Sequence, residues 1–397
     1  MMTLQPLDFD GPRMVRREEL GASDRLAHIC FGGLDENAPA EDPPAAFHPP
    51  RRGGLFVITH QGVPVSQIYI FHFQVKLSDG LIRVGSVGGV CTHPKFRERG
   101  LAGRLMEYCT QTLAREGARL MLISGGRGLY TRVGCVPTGK YINFTIQPKD
   151  SLPKQPGISL RRASSADADL CSRIYHTEPV HFIRPPAKFK ERLTHAYGYV
   201  HSEAWIVEQA GRPAAYILMG IPWEYVGHPT AGIRHVREVA GSRTALVGAL
   251  GQIMAQAGLR EIQWPVAWQD LDTIQLLQDH GLSGNPQPLI DHTMRIINLP
   301  GLMADLRPYI QARLGKTLRR GLRFEQSGPL LGDTHADHYS IRRSSDRLDL
   351  SGADMTRLVM GDPENVGVTA AQAPEKLGEI ISGLFPLPSF LPGLNYQ

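Results

Sequence analysis

The residues best placed to do chemistry lie between positions 84 and 135. Val90-Cys91-Thr92 closes an apolar, Gly-rich run, Pro94 ends it, and Arg97-Glu98-Arg99-Gly100-Leu101-Ala102-Gly103 follows. Leu101, Leu105, Met106, Tyr108, Cys109 and Leu113 then recur at helical spacing, which predicts strand, tight turn and helix. A helix start leaves its first N–H groups unpaired and carries partial positive charge. Gly100, Ala102 and Gly103 are small enough to let a phosphate approach the main chain. Arg97 and Arg99 add forked donors for phosphate oxygens. The bland alternative is a strand–helix turn bearing two solvated arginines.

A second candidate is Tyr130, within Gly128-Leu129-Tyr130-Thr131-Arg132-Val133-Gly134-Cys135. A phenol with an ordinary pKa near 10 can serve as a proton donor at neutral pH. Taken alone, it reads as a core tyrosine with a satisfied hydroxyl.

These residues need a scaffold. A strand and a helix are expected over residues 12–32, with Ser23 or Asp24 as the helix cap. Residues 34–52 form a loop with five prolines and four acidic residues, read as solvated or as a lid that attracts a cationic amine. Strands are expected at 55–60 and at 63–77, with Gln67, Tyr69, Phe71 and Phe73 on one face of the second. Asp79-Gly80 marks a hairpin, 120–124 a short buried strand, and 141–146 the strand closing the first unit. A Pro/Gly linker spans 148–157. From 158 a similar order of strands and helices repeats, closing at 293–299. Its strand–helix turn, Glu238-Val239-Ala240-Gly241-Ser242-Arg243, has no Arg-x-x-Gly-x-Gly/Ala pattern. After Pro300 come a helix over 301–314, three strands, a helix over 354–361 and a helix over 371–384.

Composition sets outer limits. The chain has 397 residues, 42% hydrophobic and 20% charged, with a net charge of +5. That describes two or three ordinary globular domains. No basic tract points to nucleic acid. Five scattered cysteines, never Cys-x-x-Cys, argue against a disulfide framework or a structural zinc site and suit a reducing cytoplasmic compartment. Cys91 and Cys109 read as core residues. No signal pattern or apolar run of transmembrane length is expected. No His-Glu-x-x-His or comparable metal-ligand pair stands out.

Arg97-x-x-Gly100-x-Ala102 after Val90-x-Thr92 resembles the acetyl-CoA signature of the GNAT N-acetyltransferases, Q/R-x-x-G-x-G/A. Tyr130 and Gly134 resemble that family's Y-x-x-x-G-F segment, with Cys135 in place of the aromatic residue. The whole chain is similar to the enhanced-intracellular-survival (Eis-like) type. The resemblance implies a mixed α+β and α/β fold: two tandem GNAT (acyl-CoA N-acyltransferase) folds with mixed sheets, plus a C-terminal α+β sterol-carrier-like domain. Its implied domains are an active GNAT unit at 1–150, a degenerate one at 158–299 and the third at 300–397.

It further implies acetyl-CoA as co-substrate without a metal. Val90, Cys91, Thr92, Arg97, Glu98, Arg99, Gly100, Leu101, Ala102 and Gly103 would hold it. Tyr130 is the implied acid and the α-carboxylate of Gln397 the implied base. The implied acceptor is an amine of an aminoglycoside, of a similar polyamine-like molecule or of a lysine side chain. The implied assembly is a homo-oligomer of hexameric type. Two other readings stay open: an acyltransferase of a biosynthetic intermediate using another acyl-CoA, and a non-catalytic acyl-CoA or lipid carrier.

Overall fold

The computed structural model describes residues 8–31, 53–150, 152, 155–194, 202–220, 232–288, 292–327 and 338–390. The acidic loop at 34–52 and the terminal Gln397 lie outside the described residues.

The first sheet begins with β1 (Phe9–Met14) and α1 (Leu20–Phe31), then β2 (Gly53–His60), β3 (Val63–Leu77) and β4 (Gly80–Thr92). It continues through α2 (Leu101–Arg115), β5 (Leu120–Ser124), α3 (Gly128–Arg132) and β6 (Val136–Pro137). α2 forms because its apolar residues share one face. Leu101, Leu105, Met106, Cys109 and Leu113 are all buried against the sheet. Each such leucine contributes about 1.5–3 kcal/mol by leaving water.

α1 differs from expectation at its start. Ser23 lies inside the helix, buried, and does not cap it. A 3₁₀ turn at Arg17–Glu19 leads into the helix, and the Glu19 carboxylate accepts from the Arg16 N–H at 2.7 Å. Glu19 also takes two bonds from Arg13 of β1, at 2.9 and 2.7 Å, fixing α1 to the sheet edge. The Arg13 bonds, with the Arg16 N–H, hold the Glu19 carboxyl down at about 2.

The next stretch is β7 (Lys140–Ile146), β8 (Ile158–Arg162), α4 (Ala168–Tyr175), β9 (Val180–Phe182), α5 (Pro186–Thr194), β10 (Ser202–Gln209) and β11 (Arg212–Gly220). Then come β12 (Ile233–Gly241), α6 (Arg243–Ala257), β13 (Glu261–Ala267), α7 (Leu271–Asp279), β14 (Gly284–Pro288) and β15 (His292–Ile296). The two mixed sheets run β1-β2-β3-β4-β5-β15-β6 and β14-β7-β13-β12-β11-β10-β8.

The sheets therefore exchange a strand. β7 does not close the first sheet; it pairs with β13 and β14 in the second. β15 does not close the second; it lies between β5 and β6 in the first. Hydrophobic pattern marks both segments as strands but is the same for either partner sheet, so sequence order suggested the nearer one.

A third, antiparallel sheet follows: β16 (Leu322–Ser327), β17 (His338–Arg343) and β18 (Asp346–Ser351). It is framed by α8 (Leu299–Asp305), α9 (Arg307–Arg319), α10 (Gly352–Met360), α11 (Pro363–Ala370) and α12 (Glu375–Leu384). The helix expected over 371–384 starts only at Glu375, because Pro374 forms its cap. The segment before it holds the separate helix α11, which starts with the Asp362 side chain accepting from the Glu364 N–H. This part packs on the exchanged strand: Tyr339 donates to the Ile296 carbonyl at 3.0 Å, and the Thr356 hydroxyl accepts from the Ile296 N–H at 3.2 Å.

One buried ion pair ties the first sheet to the second. β9 pairs with β3, and just beyond it Arg184 reaches Glu238 of β12 with two bonds of 2.9 and 2.8 Å. Tyr216 donates to the same carboxylate at 2.6 Å, and the guanidinium stacks on Tyr175 and Phe189. Removing one partner strands the other charge in the interior. Glu238→Ala is expected to destabilise the chain by about 3–5 kcal/mol, read as an earlier denaturation midpoint in urea.

Candidate active site

The site is organised by the way β4 leaves β5. The two pair in parallel only from Val84–Leu120 to Val87–Ile123. Beyond Val87, β4 continues to Thr92 on β3 alone. The departure coincides with a bulge in the β3–β4 register between Gln67 and Tyr69. Gly89 sits in it at φ +56°, and a Cβ there would come within 2.6 Å of the Tyr69 ring. The position therefore needs glycine on two counts. The bulge also resets the alternation of faces. Val87 and Val90 are three residues apart, yet both join the core under α2.

The departed strand leads straight to the start of α2. Gly100 caps that helix in the left-handed conformation, φ +73°, with no side chain closing the end and no acid in the first turn. A Cβ at Gly100 or Gly103 would meet nothing within 4 Å. Among the described residues no side-chain bond caps the first-turn N–H groups of Leu101, Ala102 and Gly103, which leaves the helix start able to take an anion. Arg97, Glu98 and Arg99 are exposed beside it. Arg97 folds back to donate to the Thr92 carbonyl at 3.3 Å. The Leu101 side chain is buried, so that residue offers only its main chain.

The corresponding end of α6 is closed. β12 pairs with β13 only through His235 and then continues to Gly241 on β11 alone, as β4 continues on β3. Here the Ser242 side chain accepts from the Ala245 N–H at 3.2 Å. The Glu178 carboxylate accepts from the Gly241 N–H at 2.7 Å and from both terminal nitrogens of Arg243. A built-in carboxylate thus stands at the helix start of the second sheet. The sequence offered Ser242 as a cap, but nothing in its spacing pointed to Glu178, 63 residues earlier.

Tyr130 is buried in the same core cluster as Val90, Leu101 and Leu105. Its loop is held from the exchanged strand. Thr293 donates to the Gly125 carbonyl at 3.1 Å, and Arg295 to the Val133 carbonyl at 3.0 Å. Both supports come from 160 residues or more away and left no local signal. The expected cofactor segment and Tyr130 are brought together; Gln397 lies outside the described residues.

A thiol pair lies on the α1 side of β4. The half-buried Cys30 thiol donates to the Thr92 carbonyl at 3.6 Å. A hydrogen bond with the buried Cys91 thiol, together with the nearby Arg97 charge, holds Cys30 down at about 7. The same contact, with burial, pushes Cys91 well up. Nearby, on the same face of β3, the Gln67 amide is fully buried and unpaired at both its oxygen and its nitrogen. Each such group costs about 1–3 kcal/mol.

Comparison with known proteins places this geometry. Residues 13–137 match the family model for the acetyltransferase (GNAT) domain. The matched segment ends where the chain leaves the first sheet for β7. A conserved protein of unknown function from Enterococcus faecalis V583, described as a probable N-acyltransferase, shares the fold. It has 16% identity and a TM-score of 0.69, over 97% of this chain and 98% of its own. A GCN5-related N-acetyltransferase from Kribbella flavida has 16% identity and a TM-score of 0.63, over 97% of each chain. Eis1 from Mycobacterium abscessus has 15% identity and a TM-score of 0.63, over 96% of this chain and 98% of its own. A search of curated proteins by sequence gives no match. The fold expectation of two tandem GNAT sheets and a small C-terminal sheet holds. The match over residues 13–137 is to an acetyltransferase (GNAT) domain, the enzyme class expected from the sequence. Among the described residues no helix is long and apolar enough to cross a membrane.

Because Cys30 loses its proton first, its alkylation by iodoacetamide should rise with pH to a half-maximum near pH 7, the value of about 7 set by its partner. Cys91→Ala removes the donor that favours the thiolate, so the half-maximum should move to higher pH, toward an ordinary thiol. Peptide mapping of the alkylated protein checks both.

Proposed function

We propose that the chain transfers the acetyl group of acetyl-CoA to an amine, in one step, at the first sheet. The observation that carries this is the open start of α2 beside the departed end of β4, set against the closed start of α6. In this reading the main chain of Val90 and Thr92 lies along the pantetheine arm. The N–H groups from Arg97 to Gly103 hold the pyrophosphate, with Arg97 and Arg99. A main-chain N–H near Val90–Cys91 polarises the thioester oxygen as it gains charge.

The acceptor nitrogen attacks the carbonyl carbon, and the carbon–sulfur bond breaks. The coenzyme A thiolate takes a proton from Tyr130. The amine gives up its proton to a base, which we assign to the α-carboxylate of Gln397. The acceptor we favour is a polyamine-like cation of the aminoglycoside kind, or a lysine side chain. We divide the chain into an acting GNAT unit at 1–150, a second unit at 158–299 that does not hold coenzyme A, and a sterol-carrier-like part at 300–397. The exchanged strands join the first two.

Thiol release from acetyl-CoA across a panel of amines tests the activity; binding of acetyl-CoA without release would mean a carrier. Gly103→Val adds a side chain where there is room, so the fold is expected to persist. Acetyl-CoA affinity should fall by about tenfold or more, equivalent to ~1.4 kcal/mol, measured by calorimetry. Tyr130→Phe should cut kcat by about 100-fold while leaving acetyl-CoA affinity near the parent's, measured by steady-state kinetics beside binding.

A further inference from the structure

Gln67 stands out among the buried polar side chains. It is 0% exposed, and it is the one described residue with two side-chain polar atoms, the amide oxygen and nitrogen, both buried and unpaired. The Arg184–Glu238–Tyr216 group, equally buried, satisfies its charges with short bonds. A leucine at position 67 would avoid the cost of hiding an amide from water, so the amide is expensive to the fold as it stands.

Its position suggests what it is for. Gln67 lies directly opposite Cys91, one step beyond the bulge that parts β4 from β5. It shares a face of β3 with Tyr69, whose ring packs on Gly89 of that bulge, and with Phe71. This face is turned away from α2, so it is the side of β4 opposite the anion berth. α1 packs on this side of the sheet with Ser23, Leu26 and Ala27 buried, and the Ser23 hydroxyl is unpaired as well. On the acetyl-transfer reading above, the acyl carbon lies at Val90–Cys91, so an acceptor on the side of β4 opposite the phosphates would lie at this seam.

We infer that Gln67 reads the acceptor: its amide oxygen accepts from the N–H of the attacking amine, and its NH₂ donates to a hydroxyl or carbonyl next to that amine. This rests on the acetyl-transfer reading given above. It makes Gln67 a specificity-determining residue and favours amines flanked by a hydrogen-bond acceptor over bare alkyl amines. Lifting α1 from the sheet would admit such a group.

The test is Gln67→Leu in the full chain, with three measurements. These are acetyl-CoA binding by calorimetry, the thermal unfolding midpoint, and thiol release with kanamycin, spermidine and a lysine dipeptide. The expected result is unchanged acetyl-CoA affinity, an unfolding midpoint at or above the parent's, and an acceptor KM raised by about tenfold or more. The largest rise should be for the amino sugar. A lower midpoint would show that the amide serves the fold, and an unchanged acceptor KM would show that it does not touch the acceptor; either overturns the inference. If the parent itself released no thiol with any of the three, the acetyl-transfer reading would fall, and this inference with it. That result is distinct from a failure seen only in the variant.

Discussion

Two neighbouring strands that share hydrogen bonds for only four residues set the terms for the rest of this molecule. β4 and β5 pair from Val84 to Val87 and then part. A main chain that has left its neighbour carries donors and acceptors along one edge, as an exposed sheet edge does. Here that edge runs into the start of α2, where further N–H groups are unpaired. The bulge at Gly89, the Tyr69 ring above it and the left-handed Gly100 belong to this one departure. Side chains refine it; the backbone makes it.

A parted strand needs bracing on its far side, and the strand exchange supplies it. β15 pairs along β5 and holds β6, and its Thr293 and Arg295 grip the loop that carries Tyr130. The C-terminal part in turn braces β15 through Tyr339 and Thr356. The residues nearest the expected chemistry are therefore positioned by segments far along the chain. A repeat unit that lends its last strand and borrows another is not free to move independently of its neighbour.

Much of this could be read in the sequence because it is local. Helical spacing from Leu101 to Leu113, the small residues at Gly100 to Gly103 and the hairpin at Asp79-Gly80 all act over a few residues, and α2, its open start and β3–β4 follow from them. What was not legible is long-range. The periodicity of 141–146 and 293–296 identifies strands but carries no information about which sheet they join. The Ser23 cap failed because the true start depends on Arg13 and Glu19 meeting across a turn. Gln67 was visible as one of a row on β3, but a row of side chains does not say which amide will be left without partners.

The carboxylate of Glu178 at the start of α6 has a consequence of its own. A tethered anion is present at a fixed, high local concentration and cannot be washed away or outcompeted by dilute metabolites. The second sheet is in this sense permanently liganded. Its helix start is neutralised at synthesis, whatever the nucleotide supply in its surroundings. The charge at this helix start is therefore constant architecture, supplied by the chain itself.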